Sequence, residues 1–175
     1  LMHIIAAKAV GFREALKPEF KDYISSVLSN AKILSETLKN NGFKIYSGGT
    51  DTHLMLVDLR PFNVKGNLAS ESLSRANITC NKNGIPFDSE SPMVTSGIRL
   101  GSQAATTRGF GLKEFEKVGE LITKVITGLS KNPNDNSKVE DEVRKEVVSL
   151  CSSFPIYKNL RKWFAQYAKK EKLRL

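Results

Sequence analysis

The sequence is poor in the residues from which metal sites and disulfide frameworks are built. It has two cysteines, Cys80 and Cys151, and two histidines, His3 and His53, among 175 residues. The cysteines are far apart and lack the spacing of zinc ligands, so we expect free, buried thiols and no metal site. A single histidine beside apolar neighbours usually lies in a core, and we expect this of both histidines.

Long apolar runs and the familiar catalytic motifs are missing as well. No apolar stretch approaches the roughly 20 residues that a membrane-spanning helix needs. The first residues do not show a basic region followed by an apolar stretch and a cleavage site, so we expect a cytoplasmic protein. The sequence has no phosphate-cradling glycine motif, no histidine pair at metal-ligand spacing and no nucleophile elbow, which excludes the enzyme classes that these motifs identify.

Positive charge is abundant but unevenly distributed. The formal net charge is +9 at pH 7, and residues 158–175 contain seven basic residues and one acid, which together contribute +6. The other 157 residues therefore carry +3, and we expect no nucleic-acid partner for the globular body.

The basic tail itself, residues 158–175, has an apolar repeat. Its large apolar residues stand at i, i+3, i+4 and i+7, the spacing of an amphipathic helix: Leu160, Trp163, Phe164 and Tyr167. Three interpretations are open. The tail packs on the same domain, it contacts a membrane surface or an acidic partner, or it was acquired through a shifted reading frame or by cloning.

Helical periodicity dominates the rest of the chain. An apolar helix is expected at the beginning, amphipathic helices are expected in 18–42, 67–75, 112–130 and 139–151, and a linker is expected in 131–136. In the last of these helices, the side chains expected to face the core are Val143, Val147, Val148 and Leu150. Short strands are expected in 43–46, 53–59, 78–80 and 97–101, with a loop in 81–88 and a polar segment without an element in 102–109. The pattern predicts an α+β domain with helices packed on a small sheet and a long connecting helix leading into it.

Arg99 is the first candidate for a binding residue. In a strand, Ile98 and Leu100 would share one face and Arg99 would occupy the other, between Gly97 and Gly101. A position flanked by glycines leaves room for a small anion, and a guanidinium matches a carboxylate with two parallel hydrogen bonds. From the spacing alone, a structural ion pair is the simpler interpretation.

The segment 81–88 is the second candidate. It is rich in amide side chains, which can both donate to and accept from the edge of a heterocycle. The alternative is a turn whose side chains bond only to its own backbone.

Several motifs in the same order, at matching intervals, resemble the C-terminal part of serine hydroxymethyltransferase. They are Ser47-Gly-Gly-Thr-Asp-Thr-His53, Ala76-Asn-Ile-Thr79, Asn81-Lys-Asn83 with Pro86 and Asp88, Ser91 to Gly101, and Thr107-Arg-Gly-Phe110. The resemblance extends from Leu1 to Tyr157 and is closer to the bacterial form, because 154–157 resembles the end of those enzymes.

The resemblance implies a fold and a division of the chain. The fold is the C-terminal small domain of the aspartate-aminotransferase fold, fold type I, with a small antiparallel sheet covered by helices. Residues 1–17 would end the connecting helix, residues 18–157 would form the small domain, and residues 158–175 lie outside the family pattern.

The resemblance also implies an activity. The intact enzyme would use pyridoxal phosphate to interconvert serine and glycine, pass the one-carbon unit to tetrahydrofolate and act as a homodimer. Arg99 would bind the substrate carboxylate, which aligns a bond at the α-carbon with the cofactor that serves as electron sink. Asn83 and the turn Ser91, Pro92 and Met93 would contact the folate. Met93 stands where phenylalanine is frequent, and a flexible thioether there replaces an aromatic packing surface.

The residues that the family uses to hold the cofactor, including its lysine, would precede Leu1. We therefore expect no catalytic residue in this chain and no turnover by this chain alone. The alternative is an inactive remnant that serves as a binding or oligomerisation module through its basic tail.

Overall fold

The computed structural model describes residues 1–156 and shows six α-helices and four strands in that range. In chain order, the elements are α1 (Met2–Ala15), α2 (Glu19–Asn40), β1 (Lys44–Ile45), β2 (Leu54–Asp58), α3 (Gly66–Arg75), β3 (Asn81–Asn83), β4 (Gly97–Gly101), α4 (Gln103–Arg108), α5 (Leu112–Lys131) and α6 (Ser137–Ser152). The predicted α+β fold class is confirmed. None of the helices in this range has the length and apolar character needed to span a membrane.

The sheet is antiparallel throughout, in the order β1-β2-β4-β3. One face belongs to the core, because its alternate side chains are buried: Ile45, Met55, Val57, Ile98 and Leu100. The residues between them point to the opposite, open face. On that face Arg99 of β4 lies directly between Leu56 of β2 and Asn81 of β3.

Helices α2 and α5 form the main layer over the buried face. The apolar side of α5 is buried as its periodicity predicts, through Phe115, Leu121, Ile122, Val125, Ile126 and Leu129. The two helices approach closely at Gly119, where an added Cβ would lie 2.7 Å from Cγ2 of Thr37. Any larger residue at position 119 would therefore push α2 and α5 apart.

The strand predicted at 78–80 is displaced, and part of the predicted loop takes its place. Asn77 adopts a left-handed conformation, and the backbone N–H of Ile78 donates to the carbonyl of Leu73 at 2.8 Å. This bond caps the C-terminus of α3 as in a Schellman motif, so Ile78 belongs to the end of the helix and not to a strand. The strand forms three residues later, at Asn81–Asn83, because that segment pairs with β4.

Helix α4 lies in the polar segment where no element was expected. Its six residues carry no apolar stripe, and contacts with α2 hold it in place. The Asn30 amide donates to the Thr106 hydroxyl at 2.9 Å, and the Ser102 hydroxyl donates to the Val27 carbonyl at 2.7 Å.

The expected burial of two histidines and one valine is wrong. His3 and His53 are both exposed rather than packed in the core. Val148 points outward on α6, whereas Val143 is buried and Val147 is half-buried as predicted. The basic tail lies outside the described residues, so its three interpretations stay predictions.

Candidate functional site

Arg99 stands on the open face of the sheet with its side chain in solvent. Strand β4 places it there because Ile98 and Leu100 on either side are buried in the core. Its Nη2 donates to the Asn81 side-chain oxygen at 3.3 Å. Within residues 1–156 no carboxylate lies within 4.0 Å of the guanidinium, so the structural ion pair considered for Arg99 does not form there. The Asn81 contact is the one side-chain hydrogen bond of this guanidinium within the described residues, and a guanidinium has five N–H donors.

The two flanking glycines do not have the role that the sequence indicated. A Cβ at Gly97 would lie 2.7 Å from both the Val57 carbonyl oxygen and a methyl group of Ile85. Gly97 is therefore needed for close packing with its neighbours, and the interpretation of an anion-sized space beside it is wrong. A Cβ at Gly101 would lie 2.8 Å from the Gln103 side chain, which already occupies that side of the backbone.

The residues predicted for folate come together in part. Asn83, Ser91 and Pro92 line one groove of about 310 Å³, whose other lining residues are Lys82, Gly84, Asp88, Glu90 and Thr95. Met93 does not line this groove and is 72% exposed. The Met93 carbonyl nevertheless accepts a 2.6 Å hydrogen bond from the Lys82 ammonium, which ties the 91–93 turn to β3.

Asp88 organises the backbone around this groove. Its two carboxylate oxygens accept hydrogen bonds from the backbone N–H groups of Ile85, Glu90 and Ser96 at 3.1, 3.0 and 2.9 Å, and from the Ser96 hydroxyl at 2.6 Å. Burial alone would favour the neutral acid, but the Ser96 hydroxyl and these N–H donors outweigh it and lower the pKa of Asp88 far below its usual range. The carboxylate is thus charged at neutral pH and holds the loop closed.

Sequence reasoning placed Asn81, Lys82 and Asp88 within the candidate segment 81–88 but assigned none of them an individual role in the site. The signal for Asn81 was present, since alternate residues of a strand share a face and Asn81 and Asn83 stand two apart. It was missed because the Asn-rich segment was interpreted as a loop. Lys82 and Asp88 act through partners 11 and 8 residues away, which spacing alone does not reveal.

Cys80 lines a pocket together with Asn81 and Arg99, whereas Cys151 does not. Both are free thiols, as predicted, but they are half-buried rather than fully buried. Burial raises the pKa of Cys80 to about 11, so it is protonated and a poor nucleophile at neutral pH. No cluster of three or more potential metal ligands occurs in residues 1–156.

The antiparallel sheet and its helical cover define the class of protein: a small α+β domain with helices packed on one face of the sheet. A model of the serine hydroxymethyltransferase family matches residues 1–122, so the chain belongs to this family.

Relatives named serine hydroxymethyltransferase agree with this assignment. The chain is 83% identical over 161 residues to the protein of Pelagibacter ubique, covering 92% of this chain and 37% of that protein. It is 63% identical over 158 residues to that of Marinomonas sp. and 62% identical over 157 residues to that of Paramagnetospirillum magneticum, in each case covering 90% of this chain and 37% of the relative. The chain therefore spans little more than a third of the length of the relatives it matches.

Proposed function

We propose that this chain is the C-terminal, substrate-binding part of an enzyme that interconverts serine and glycine and passes the one-carbon unit to tetrahydrofolate. Arg99 binds the amino-acid carboxylate, and Asn83 with the turn Ser91, Pro92 and Met93 contacts the folate. The observation that carries the proposal is the Arg99 guanidinium, which faces solvent on a rigid strand and has no carboxylate partner within the described part of the chain.

The geometry of Arg99 supports this role. A guanidinium can hold both oxygens of a carboxylate at once, which fixes the orientation of the amino acid as well as its position. Because buried neighbours anchor β4, the backbone of Arg99 gives its side chain a fixed base. The bound substrate would then present its reacting carbon at a constant distance and angle from the sheet.

Lys117 and Lys124 do not fit the covalent site of pyridoxal phosphate. A lysine that binds this cofactor must lose its proton, which needs a lowered pKa. The ammonium groups of Lys117 and Lys124 instead donate hydrogen bonds to the Glu146 carboxylate, which raises the pKa of both lysines. Following the resemblance to the family, we place the cofactor lysine in the remainder of the longer enzyme, and we expect that this chain alone neither holds the cofactor nor turns over.

The proposal extends to the intact enzyme, which we expect to be a cytoplasmic homodimer. The identity of 83% to the Pelagibacter ubique relative supports an experiment in which that relative's N-terminal remainder is joined to this chain. We call this protein the joined enzyme.

The test is Arg99→Lys in the joined enzyme. A point charge on a flexible stem cannot reproduce two parallel hydrogen bonds, so the KM for serine should rise at least about tenfold. Steady-state kinetics with serine and tetrahydrofolate measure this change. The matched control is Arg144→Lys on the exposed side of α6, where the arginine pairs with Asp141 and no change in KM is expected.

Two results would count against the proposal. An unchanged KM for serine in Arg99→Lys would remove Arg99 from the carboxylate site. A joined enzyme that binds the cofactor but has no activity would favour the alternative, an inactive remnant acting as a binding or oligomerisation module.

A further inference from the structure

Asn81 is the neighbour whose side chain can affect both the orientation of the Arg99 guanidinium and the positive charge that it presents to a ligand. It stands directly opposite Arg99 in the β3–β4 register, and residues paired in this way project from the same face of the sheet. On the other side of Arg99, the paired residue is Leu56, which offers no acceptor. Asn81 thus supplies the only side-chain acceptor for this guanidinium within residues 1–156.

We infer that Asn81 is a positioning residue that orients the Arg99 guanidinium for the substrate carboxylate while leaving its positive charge uncompensated. The inference rests on the proposed function of Arg99. The Asn81 amide oxygen accepts a 3.3 Å hydrogen bond from Nη2 of the guanidinium, and the other donors stay free. Because the amide is neutral, the full charge of the arginine is kept for the ligand.

The chemical identity of residue 81 is therefore restricted. Aspartate would be nearly isosteric with asparagine, but its carboxylate would form a two-bond ion pair with the guanidinium. That pair would occupy the donors that the substrate needs and would cancel the attraction for its negative charge. Alanine would leave the charge intact and remove only the orientation.

Strand β3 also connects this function to the folate groove. Asn83 follows Asn81 on the same face and lines the groove, whereas Lys82 between them binds the Met93 carbonyl. A general disturbance of β3 would therefore affect both ligands, but a loss of Arg99 orientation would affect only the amino acid. This difference separates a positioning role from a structural one.

The experiment compares Asn81→Asp and Asn81→Ala in the joined enzyme. We expect the KM for serine to rise at least about tenfold in Asn81→Asp, because the new carboxylate competes with the substrate for the Arg99 guanidinium. In Asn81→Ala we expect a rise of about threefold. The Kd for glycine, measured by calorimetry without turnover, should rise by the same factors because glycine carries the same carboxylate. The KM for tetrahydrofolate and the melting temperature should stay unchanged.

The matched control is Asn134→Asp, which adds the same charge at an exposed position in the α5–α6 linker. A serine KM and a glycine Kd within twofold of the parent in Asn81→Asp would overturn the inference, as would a parallel rise in the KM for serine and for tetrahydrofolate. If Asn81→Asp does not fold, Asn81→Ala decides by the same criteria. Arg99→Lys in the same assays tests the proposed function separately. If Arg99 does not bind the substrate carboxylate, the KM for serine will be unchanged in Arg99→Lys.

Discussion

Asp88 shows at the scale of one residue how the folate groove is held. Four hydrogen bonds converge on its carboxylate, and all of them come from the 85–96 segment. An ionised carboxylate accepts at both oxygens, whereas an amide presents an NH2 group to one pair of these donors. The segment therefore depends on the charged form of residue 88.

Asp88→Asn should loosen this segment. We expect the free energy of unfolding to fall by about 1–2 kcal/mol at pH 7, because N–H donors are left without an acceptor. In the joined enzyme, the KM for tetrahydrofolate should rise more than the KM for serine. Urea denaturation and steady-state kinetics measure the two effects, and an equal rise in both KM values would contradict the localised role of Asp88.

The pH dependence follows from the direction of the pKa shift. The folded-state pKa of Asp88 is lowered, so its contribution to stability is fully present above the unfolded-state value of about 3.9 and is lost as the pH falls through the folded-state value. Asp88→Asn should therefore lose less stability than the parent between about pH 4 and pH 2. Identical slopes in the two proteins would contradict this assignment.

Single residues were predictable where alternation alone determined their side of a strand. The pattern Ile98-Arg99-Leu100 correctly placed two side chains in the core and one outside, because a strand has a period of two. The partner of Arg99 was not predictable in this way. It depends on which strand pairs with β4 and in which register, and both are set by packing over long sequence distances.

At the scale of elements, a buried carboxylate joins α3 to α6. Glu140 of α6 accepts a 2.6 Å hydrogen bond from the Ser72 hydroxyl and two 2.7 Å hydrogen bonds from the Arg75 guanidinium. Arg75 is the main cause of the lowered pKa of Glu140, which outweighs the opposing effect of burial. The Asn136 amide adds bonds to the Ser72 hydroxyl and the Val125 carbonyl, so α5 joins the same network.

Glu140→Ala should destabilise the fold by about 2 kcal/mol, because it removes the carboxylate that accepts from the Ser72 hydroxyl and the Arg75 guanidinium. This is below the cost for a fully buried ion pair, since more than half of the Arg75 side chain is exposed. The control is Glu142→Ala, which removes an exposed carboxylate paired with Lys124 and should cost less than about 1 kcal/mol. Equal losses in the two variants, measured by urea denaturation, would show that the network contributes nothing beyond surface charge.

Elements with a strong apolar stripe were predictable, and short polar ones were not. Helices α2 and α5 follow their periodicity because burial of one side stabilises them. Helix α4 and strand β3 have six and three residues and little apolar surface. Both form because longer neighbours offer hydrogen-bond partners, α2 to α4 and β4 to β3. Partners that lie far away in the sequence cannot be predicted from the residues of the element itself.

At the scale of the whole molecule, α1 differs from every other long helix. It is apolar, as its sequence indicates, but none of its residues is buried, and Ile5, Val10 and Phe12 are exposed. Helix α1 ends at Ala15 and α2 begins at Glu19, so residues 16–18 separate the two helices. The sequence could predict the helix but not its exposure, because burial depends on what packs against it.

Deletion of residues 1–17 should therefore leave the fold of the remaining chain intact. We expect a cooperative thermal transition within about 3 °C of the parent, because α1 contributes no buried side chain to the core. The deletion should also reduce self-association of the isolated chain, since it removes exposed apolar residues. Circular dichroism and sedimentation velocity measure these changes.

Ile126→Ala is the positive control for core damage, because Ile126 is fully buried and its truncation should cost about 2–5 kcal/mol. A deletion variant as unstable as Ile126→Ala would show that α1 belongs to the same folding unit as the sheet, and the predicted division of the chain would be wrong.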